Sequence, residues 1–216
     1  MKQQKISSKY TTEYESEYQP GSRNHVLKNK LGITSIRKME DAELAGYMHA
    51  ERSMLSEFAI DQQLRLKNIH QLHRLFLGNM YEWAGTYRTV NISKGGFPFA
   101  SALALPQAMK EFEKKVLKPN TPCHGATLEE IASKIAIVHV EFLLLHPYRE
   151  GNGRTARLLA TLMAYQANLK GIDFGFIGSN GKNFNAYIRA IQSGIERNYA
   201  PMQKIIIKAL RGAGTE

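Results

Sequence analysis

Two helical segments meet at a short polar bend, and this arrangement constrains the fold more than any other feature of the sequence. The first segment opens with a capping box at Thr127–Glu130, where the threonine hydroxyl can accept from a first-turn amide, and it stays mostly apolar to Leu145. Pro147 marks its end, because the residue before a proline avoids helical backbone angles. The second segment runs from about Asn152 to Leu169. The pair predicts a helical centre for the domain.

Helical spacing of apolar residues recurs along most of the chain, beginning near Asn29. Further helices are predicted at residues 41–58, 64–83, 106–117, 183–197 and 201–210. The clearest strand candidate is Tyr87–Ser93, followed by the turn signal Gly95-Gly96 and a returning strand that starts at Phe97. The sequence therefore predicts a mainly α fold with one β-hairpin.

Charge and composition limit which partners and cellular locations are expected. Lys plus Arg number 29 and Asp plus Glu number 19, a net charge of +10 that favours an anionic partner. The single cysteine, Cys123, excludes an intramolecular disulfide and a cysteine-rich zinc site. No apolar stretch reaches the roughly 18 residues that can span a bilayer. The basic start has no apolar segment behind it, as a secretory signal would have. We therefore expect a cytosolic protein with no membrane partner.

The chain divides into three parts by composition. Residues 1–26 are polar and tyrosine-rich and contain the breaker Pro20-Gly21, so they are expected to form a flexible N-terminal arm. Residues 27–210 are expected to form a single folded domain, and residues 211–216 a C-terminal tail.

The bend has the residues of an anion site. Gly151, Asn152 and Gly153 allow close approach of a ligand and immediately precede a helix, whose first-turn amides have no internal acceptor. The helix dipole is positive at the same place, which suits phosphate. Arg154 and Arg157 lie three residues apart and share one helix face, so their guanidinium groups can hold two phosphates.

Two residues beside the anion site indicate chemistry beyond binding. Glu150 is an unusual neighbour for an anion unless a cation bridges the two, and a carboxylate with phosphate oxygens is the usual way to hold Mg²⁺. His146, at the end of the preceding helix, can act as a general base near neutral pH. The combination predicts nucleotide-dependent group transfer to a hydroxyl.

Plainer explanations exist for each residue alone. The histidine could cap a helix, the charged residues could form surface ion pairs, and the glycines could mark a turn. A second functional hypothesis is a non-catalytic basic helical module that binds nucleotide or nucleic acid at the same bend. His146 beside Glu150 favours an enzyme, since anion binding needs neither residue. Because no signature of a nucleic-acid-binding fold is present, nucleic acid is not the expected partner.

Residues 146–157, HPYREGNGRTAR, resemble the signature of Fic-domain proteins. Leu72-His73, the segment Tyr81–Arg88 and the segment Asn198–Met202 are similar to other landmarks of that family. The resemblance covers residues 27–210. It implies a Fic-type helical domain of about eight helices with one β-hairpin flap.

Most Fic proteins transfer AMP from ATP to a Ser, Thr or Tyr hydroxyl of a target protein, so the resemblance implies a protein adenylyltransferase. It makes His146 and Asn152 the catalytic residues, with His146 the base that takes the proton of the target hydroxyl and Asn152 part of the anion hole. It makes Glu150 the ligand of Mg²⁺. The implied nucleotide-binding residues are Gly151, Asn152 and Gly153 at the α-phosphate, and Arg154 and Arg157 at the β- and γ-phosphates. Gly153 favours adenylylation, because relatives with another residue at this position act as kinases.

The resemblance also assigns the flap and the adenine pocket. The flap spans about Arg88 to Ser101, and its exposed strand edge should pair with an extended target segment. The implied target-binding residues of the flap are Ser93, Lys94, Gly95, Gly96 and Phe97. Phe97 and Phe99 either clamp the target residue or close a small apolar cluster. Tyr187 and Asn183 fall where the family completes its adenine pocket, although Tyr187 could equally belong to the core.

The family's usual inhibitory motif places a glutamate against the second arginine, here Arg157. Segments ending in Glu15, Glu57 and Glu196 match this motif only in part, so we expect no internal inhibitor. A separate small antitoxin could then supply the glutamate, as in bacterial toxin–antitoxin pairs, or the chain is intrinsically active. An effector that is secreted and acts in a host cytosol is the other expected setting.

Overall fold

The structure, a computed structural model, describes residues 11–12, 18–178 and 180–213. The described helices are α1 (Ile36–Glu57), α2 (Leu66–Leu77), α3 (Leu105–Phe112), α4 (Lys118–Asn120), α5 (Leu128–Leu145), α6 (Asn152–Gln166), α7 (Gly181–Gln192) and α8 (Ala200–Gly212). The described strands are β1 (Thr11–Thr12), β2 (Ile92–Lys94) and β3 (Phe97–Pro98). The predicted mainly α fold with one hairpin is confirmed.

Helix α5 lies at the centre and packs against α6 and α8. The Thr127 hydroxyl accepts from the Glu130 amide at 3.2 Å, so the predicted cap is formed. Ile135, Ala136 and Phe142 of α5 are completely buried. A helix buried on most sides must be apolar on most sides, which explains the apolar composition of this segment.

Helices α1 and α2 form a second layer on α6. They approach closely because Gly46 of α1 lies against the Phe76 carbonyl of α2, where a Cβ would collide with it. Because of this close packing, the first half of α1 lies near the N-terminus of α6, where Glu43 reaches Arg154.

Several predicted bounds of secondary structure were wrong. Helix α6 ends at Gln166, not at Leu169, and α7 ends at Gln192, not at residue 197. Helical structure begins at Ile36, not near Asn29. The helix predicted over residues 64–83 ends at Leu77, where Gly78 caps it and turns follow. The strand predicted at Tyr87–Ser93 is confined to β2, because the chain before it wraps around the side chain of Arg88.

The predicted flexible arm is partly ordered. Gln19 donates its amide to the Val26 carbonyl at 2.8 Å, and Val26 is buried in the core. Residues 18–26 are therefore a turn packed on the domain, contrary to the expectation of a loose arm there. At the other end, α8 continues to Gly212, two residues into the predicted tail. The remainder of the arm apart from β1, and residues 214–216, lie outside the described residues.

The hairpin belongs to a small antiparallel sheet of order β1-β2-β3. Thr11 pairs with Ser93 and Thr12 with Ile92, while Ser93 pairs with Pro98 on its other side. Both neighbours of β2 therefore come from this chain. None of the described helices is both long and apolar enough to cross a membrane.

Candidate active site

His146 terminates α5 in the left-handed conformation, with φ 49° and ψ 59°. Its amide still donates to the Phe142 carbonyl at 3.0 Å, while Pro147 prevents another helical turn. Its Nδ1 lies 2.7 Å from the Leu143 carbonyl oxygen. A carbonyl only accepts, so Nδ1 carries the proton and Nε2 of the neutral ring is the acceptor nitrogen. This is the tautomer that a general base requires.

The imidazole of His146 is 7% exposed and stacks on Phe99 of the flap, with ring centroids 3.8 Å apart. Burial lowers the pKa of His146 to about 3, against its ordinary value of 6.5, and the charges of Lys94 and Arg88 act in the same direction. Burial therefore favours the neutral form of the ring.

Arg88 ties the flap to the bend. Its amide donates to the Pro147 carbonyl at 2.9 Å, and its Nε donates to the His146 carbonyl at 2.8 Å. The remaining guanidinium hydrogen bonds go to the carbonyls of Val90, Ala100 and Leu145. One buried side chain thus joins both strands of the hairpin to the end of α5.

Asn152 stabilises the bend through its side chain. Its Oδ1 accepts from the Tyr148 amide at 2.8 Å, and its Nδ2 donates to the Tyr148 carbonyl at 2.7 Å. Asn152 is completely buried and both polar atoms of its side chain are used by Tyr148, so its amide is the group left for an anion. The role of Asn152 in an anion site stays a prediction, now restricted to its amide.

The two glycines of the bend differ. Gly151 has φ +80°, and a Cβ there would lie 2.7 Å from Leu77 and 3.0 Å from Phe76. Gly153 has nothing within 4 Å of its Cβ position. Packing therefore requires the first glycine, whereas the second keeps the N-terminus of α6 open to a ligand.

His73 holds the bend from beneath. Its Nδ1 accepts the Gly85 amide at 2.7 Å, so its Nε2 carries the proton and donates to the Glu150 carbonyl at 3.0 Å. The ring also stacks on Tyr148 at 3.8 Å between centroids. Both ring nitrogens of His73 are therefore used to hold the backbone on either side of the site.

Arg154 is held by residues that are distant in sequence. Its guanidinium lies 2.6 Å from Oε2 of Glu43 and 3.5 Å from Oε1 of Glu150, and 4.7 Å from the ring centroid of Phe76. The Tyr81 hydroxyl donates to Oε1 of Glu43 at 3.0 Å. Glu43 was not predicted, because it lies in a helix with no motif around it and reaches Arg154 only when α1 packs on α6.

Arg154 and Arg157 line a cavity of about 360 Å³ together with Tyr47, Asp173 and Phe174. The predicted pair of arginines thus does share one open space beside the N-terminus of α6. Glu150, the predicted Mg²⁺ ligand, is on the other side of Arg154, and its Oε1 accepts the Gly151 amide at 2.8 Å.

The residues predicted for the adenine pocket and for the flap have partners within the protein. Tyr187 is 5% exposed and its hydroxyl lies 2.7 Å from Nε2 of His139. Asn183 donates its side-chain amide to the Phe176 carbonyl at 2.9 Å. Phe97 packs on Phe99 edge to face at 5.5 Å. Their roles toward nucleotide and target stay predictions.

Comparisons with known proteins agree with this geometry. Residues 63–164 match the model of the Fic/DOC family. The chain is 28% identical over 142 residues to protein adenylyltransferase VbhT of Bartonella schoenbuchensis, covering 66% of this chain but only 29% of that protein. It is 27% identical over 201 residues to the probable protein adenylyltransferase Fic of Escherichia coli K12, covering 88% of this chain and 90% of that one.

Solved structures share the fold. The BepC effector of Bartonella tribocorum, solved with bound AMPPNP, superposes with a TM-score of 0.68 at 22% identity, over 85% of this chain and 91% of that chain. The N-terminal Fic domain of a Bartonella sp. AR 15-3 effector gives a TM-score of 0.70 at 21% identity, over 88% of each chain.

Proposed function

This chain is a Fic-domain protein of the Fic/DOC family, and from that premise we propose that it is a protein adenylyltransferase, which transfers AMP from ATP to a Ser, Thr or Tyr hydroxyl of a target protein. The observation that supports this most is the neutral His146, whose acceptor nitrogen lies at one end of the bend, while Arg154 and Arg157 open onto a cavity at the other.

The nucleotide is held at the N-terminus of α6. The backbone of Gly151, Asn152 and Gly153 receives the α-phosphate, and the open space at Gly153 admits it. Arg154 and Arg157 hold the β- and γ-phosphates, which fixes the α-phosphorus toward His146.

Glu150 would hold Mg²⁺, since a carboxylate oxygen is the hard donor that this ion prefers. When bound, the ion would neutralise charge on the phosphates.

The transfer step is a displacement at phosphorus. Nε2 of His146 takes the proton of the target hydroxyl as the hydroxyl oxygen bonds to the α-phosphorus. The bond from the α-phosphorus to the oxygen that bridges to the β-phosphate breaks, and pyrophosphate leaves. The positive N-terminus of α6 stabilises the charge that develops on the α-phosphate.

The flap presents the target. Ser93, Lys94, Gly95, Gly96 and Phe97 form the strand ends and turn that an extended segment would meet. Because β1 occupies one side of β2, the segment pairs with β3 or takes the place of β1. Phe99 covers the His146 ring and would contact the residue that is modified.

Partner and location remain part of this proposal. Glu57 accepts a hydrogen bond from Gln71 and Glu196 is exposed, which supports the proposal that neither is an internal inhibitor, while Glu15 lies outside the described residues. We place the reaction in a cytosol, where ATP is present, with a small antitoxin or a host target as the partner.

The experiment compares two labels. The chain is incubated with Mg²⁺ and either α-labelled or γ-labelled ATP, alone and with candidate target proteins, and intact masses are recorded. The proposal expects label from the α-position only, with a mass gain of one adenylyl group. Label from the γ-position would show a kinase instead, and nucleotide binding without any label would indicate a non-catalytic module.

A further inference from the structure

The two arginines of the cavity are held in different ways. Arg154 has the carboxylates of Glu43 and Glu150 as partners. Arg157 is instead surrounded by aromatic rings, and its guanidinium carbon lies 5.6 Å from the ring centroid of Phe174. Its Nε is buried without a hydrogen-bond partner among the described residues. Among the described residues, no carboxylate forms an ion pair with Arg157, although Glu51 and Asp173 line the same cavity, and the ring that its guanidinium lies over, Phe174, is neutral.

His139 of α5 is 1% exposed and has both ring nitrogens engaged. Nδ1 lies 3.2 Å from the Ala156 carbonyl oxygen, and Nε2 lies 2.7 Å from the Tyr187 hydroxyl. Since the carbonyl only accepts, Nδ1 carries the proton and Nε2 accepts from Tyr187. Burial, first of all, and the charge of Arg157 lower the pKa of His139 to about 3, so the ring stays neutral.

This hydrogen bond fixes the direction of the Tyr187 hydroxyl. Its hydrogen points to His139, so its oxygen lone pairs remain for another donor. The Arg157 guanidinium lies beside that oxygen: burial, the largest cause, raises the pKa of Tyr187 to about 12, while the positive charge of Arg157 acts in the opposite direction.

Phe174 completes the group. Its ring is nearly parallel to that of His139, at an angle of 15° and 5.5 Å between centroids, and Arg157 lies over the same ring. Ala156, the acceptor of His139, directly precedes Arg157 in α6. The histidine thus contacts both supports of the arginine and the backbone beside it.

We propose that His139 and Tyr187 are positioning residues for Arg157, which set the preference of the site for a nucleoside triphosphate over a monophosphate. The inference rests on the proposed function, in which Arg157 binds a phosphate beyond the α-position. It gives Tyr187 a role through Arg157 and does not require contact with the adenine ring.

The test measures the dissociation constants of MgATP and of AMP for the full chain by calorimetric titration. Tyr187→Phe keeps the ring and removes only the hydroxyl. We expect MgATP to bind about tenfold more weakly, because the polar oxygen that faces the Arg157 guanidinium is lost, and AMP to bind within about twofold of wild type. Tyr199→Phe, which loses a hydroxyl bonded to Glu141 away from the cavity, is the matched control and should change neither constant.

Variants of His139 separate positioning from packing. His139→Gln offers an amide oxygen to the Tyr187 hydroxyl and should retain MgATP affinity within about threefold, whereas His139→Leu should resemble Tyr187→Phe. If Tyr187→Phe does not fold, the comparison of His139→Gln with His139→Leu tests the proposal instead. An equal loss of MgATP affinity in these two variants would overturn it.

A double-mutant comparison makes the coupling explicit. In an Arg157→Ala background, Tyr187→Phe should weaken MgATP binding no further, because the group it orients is gone. Equal loss of MgATP and AMP affinity in Tyr187→Phe, unchanged affinity for both, or additive effects with Arg157→Ala would each refute the positioning role. A wild-type chain that binds MgATP but labels no hydroxyl refutes only the proposed activity, and one that binds no MgATP refutes both.

Discussion

The functional side chains at the two ends of the bend are held by different kinds of group. At the end of α5, His146 and Arg88 are fixed by backbone carbonyls close to the bend, which include those of Leu143 and Leu145. At the start of α6, Arg154 and Arg157 are fixed by side chains of α1, α2 and α7 and of the loop that carries Phe174.

The difference bears on what each end can tolerate. A backbone carbonyl is present whatever the side chain, so the hydrogen bonds of His146 and Arg88 do not depend on the side chains of the residues that supply these carbonyls. The phosphate-binding end depends on several side chains, each of which a single substitution can change. We therefore expect all-or-none effects at the first end and graded effects at the second.

The largest effect is expected from removing the base. His146→Ala should reduce transfer from α-labelled ATP by about 10³-fold, within the usual range for loss of a general base, while MgATP affinity changes by less than about twofold. Labelling rate and calorimetric affinity measure the two quantities. The exposed His49 provides the control His49→Ala, which should label as wild type. If His146→Ala still labels the target, the effect at the His146 end is not all-or-none and the expected difference from the arginine end is contradicted.

Acid should destabilise the fold through three buried histidines. Burial lowers the pKa of His73, His139 and His146 to about 3 each, against an ordinary 6.5. The unfolded chain binds protons below about pH 6.5 that the folded chain does not, so stability is lost as pH falls from there toward 3. Each histidine should lower the free energy of unfolding by about 2 kcal/mol between pH 7 and 5.

Urea unfolding across this pH range measures the loss. His139→Gln and His146→Gln should each reduce the pH dependence by about one third, because each removes one of three comparable groups. A pH dependence that neither substitution alters would place the titrating groups elsewhere.

Arg88 gives the next effect. Arg88→Ala would leave four carbonyls without their donor, and we expect about 3 kcal/mol of lost stability, typical of a broken buried hydrogen-bond network. Urea unfolding measures the change, with the exposed Arg37→Ala as control. A loss below about 1 kcal/mol would mean that the flap is held to the bend by other contacts.

The smallest effect concerns Glu43. Glu43→Gln keeps an oxygen for Arg154 or Tyr81 but removes a negative charge beside the cavity, so MgATP should bind about threefold more tightly. Glu43→Ala removes the support as well and should weaken binding. If the glutamine variant binds as weakly as the alanine variant, the charge of Glu43 is itself required to hold Arg154.

The sequence predicted the central helices closely because their signals are local. The Thr127 cap, the apolar run and Pro147 all act within a few residues, and the observed bounds of α5 and α6 follow them. Predictions failed where a single distant contact decides the backbone. The chain after Tyr87 has strand-forming residues, yet it curves around Arg88, whose partners include carbonyls 57 and 58 residues away.

The sequence by itself determined the chemical groups of the site: a histidine before a proline, glycines at a helix start and two arginines on one helix face follow from spacing alone. Only the tertiary structure decided their states, because protonation, tautomer and orientation depend on burial and on partners remote in sequence. Glu43 meets Arg154 across 111 residues, His73 meets Glu150 across 77, and His139 meets Tyr187 across 48. No local pattern encodes such pairings, since they form only when separate helices pack together.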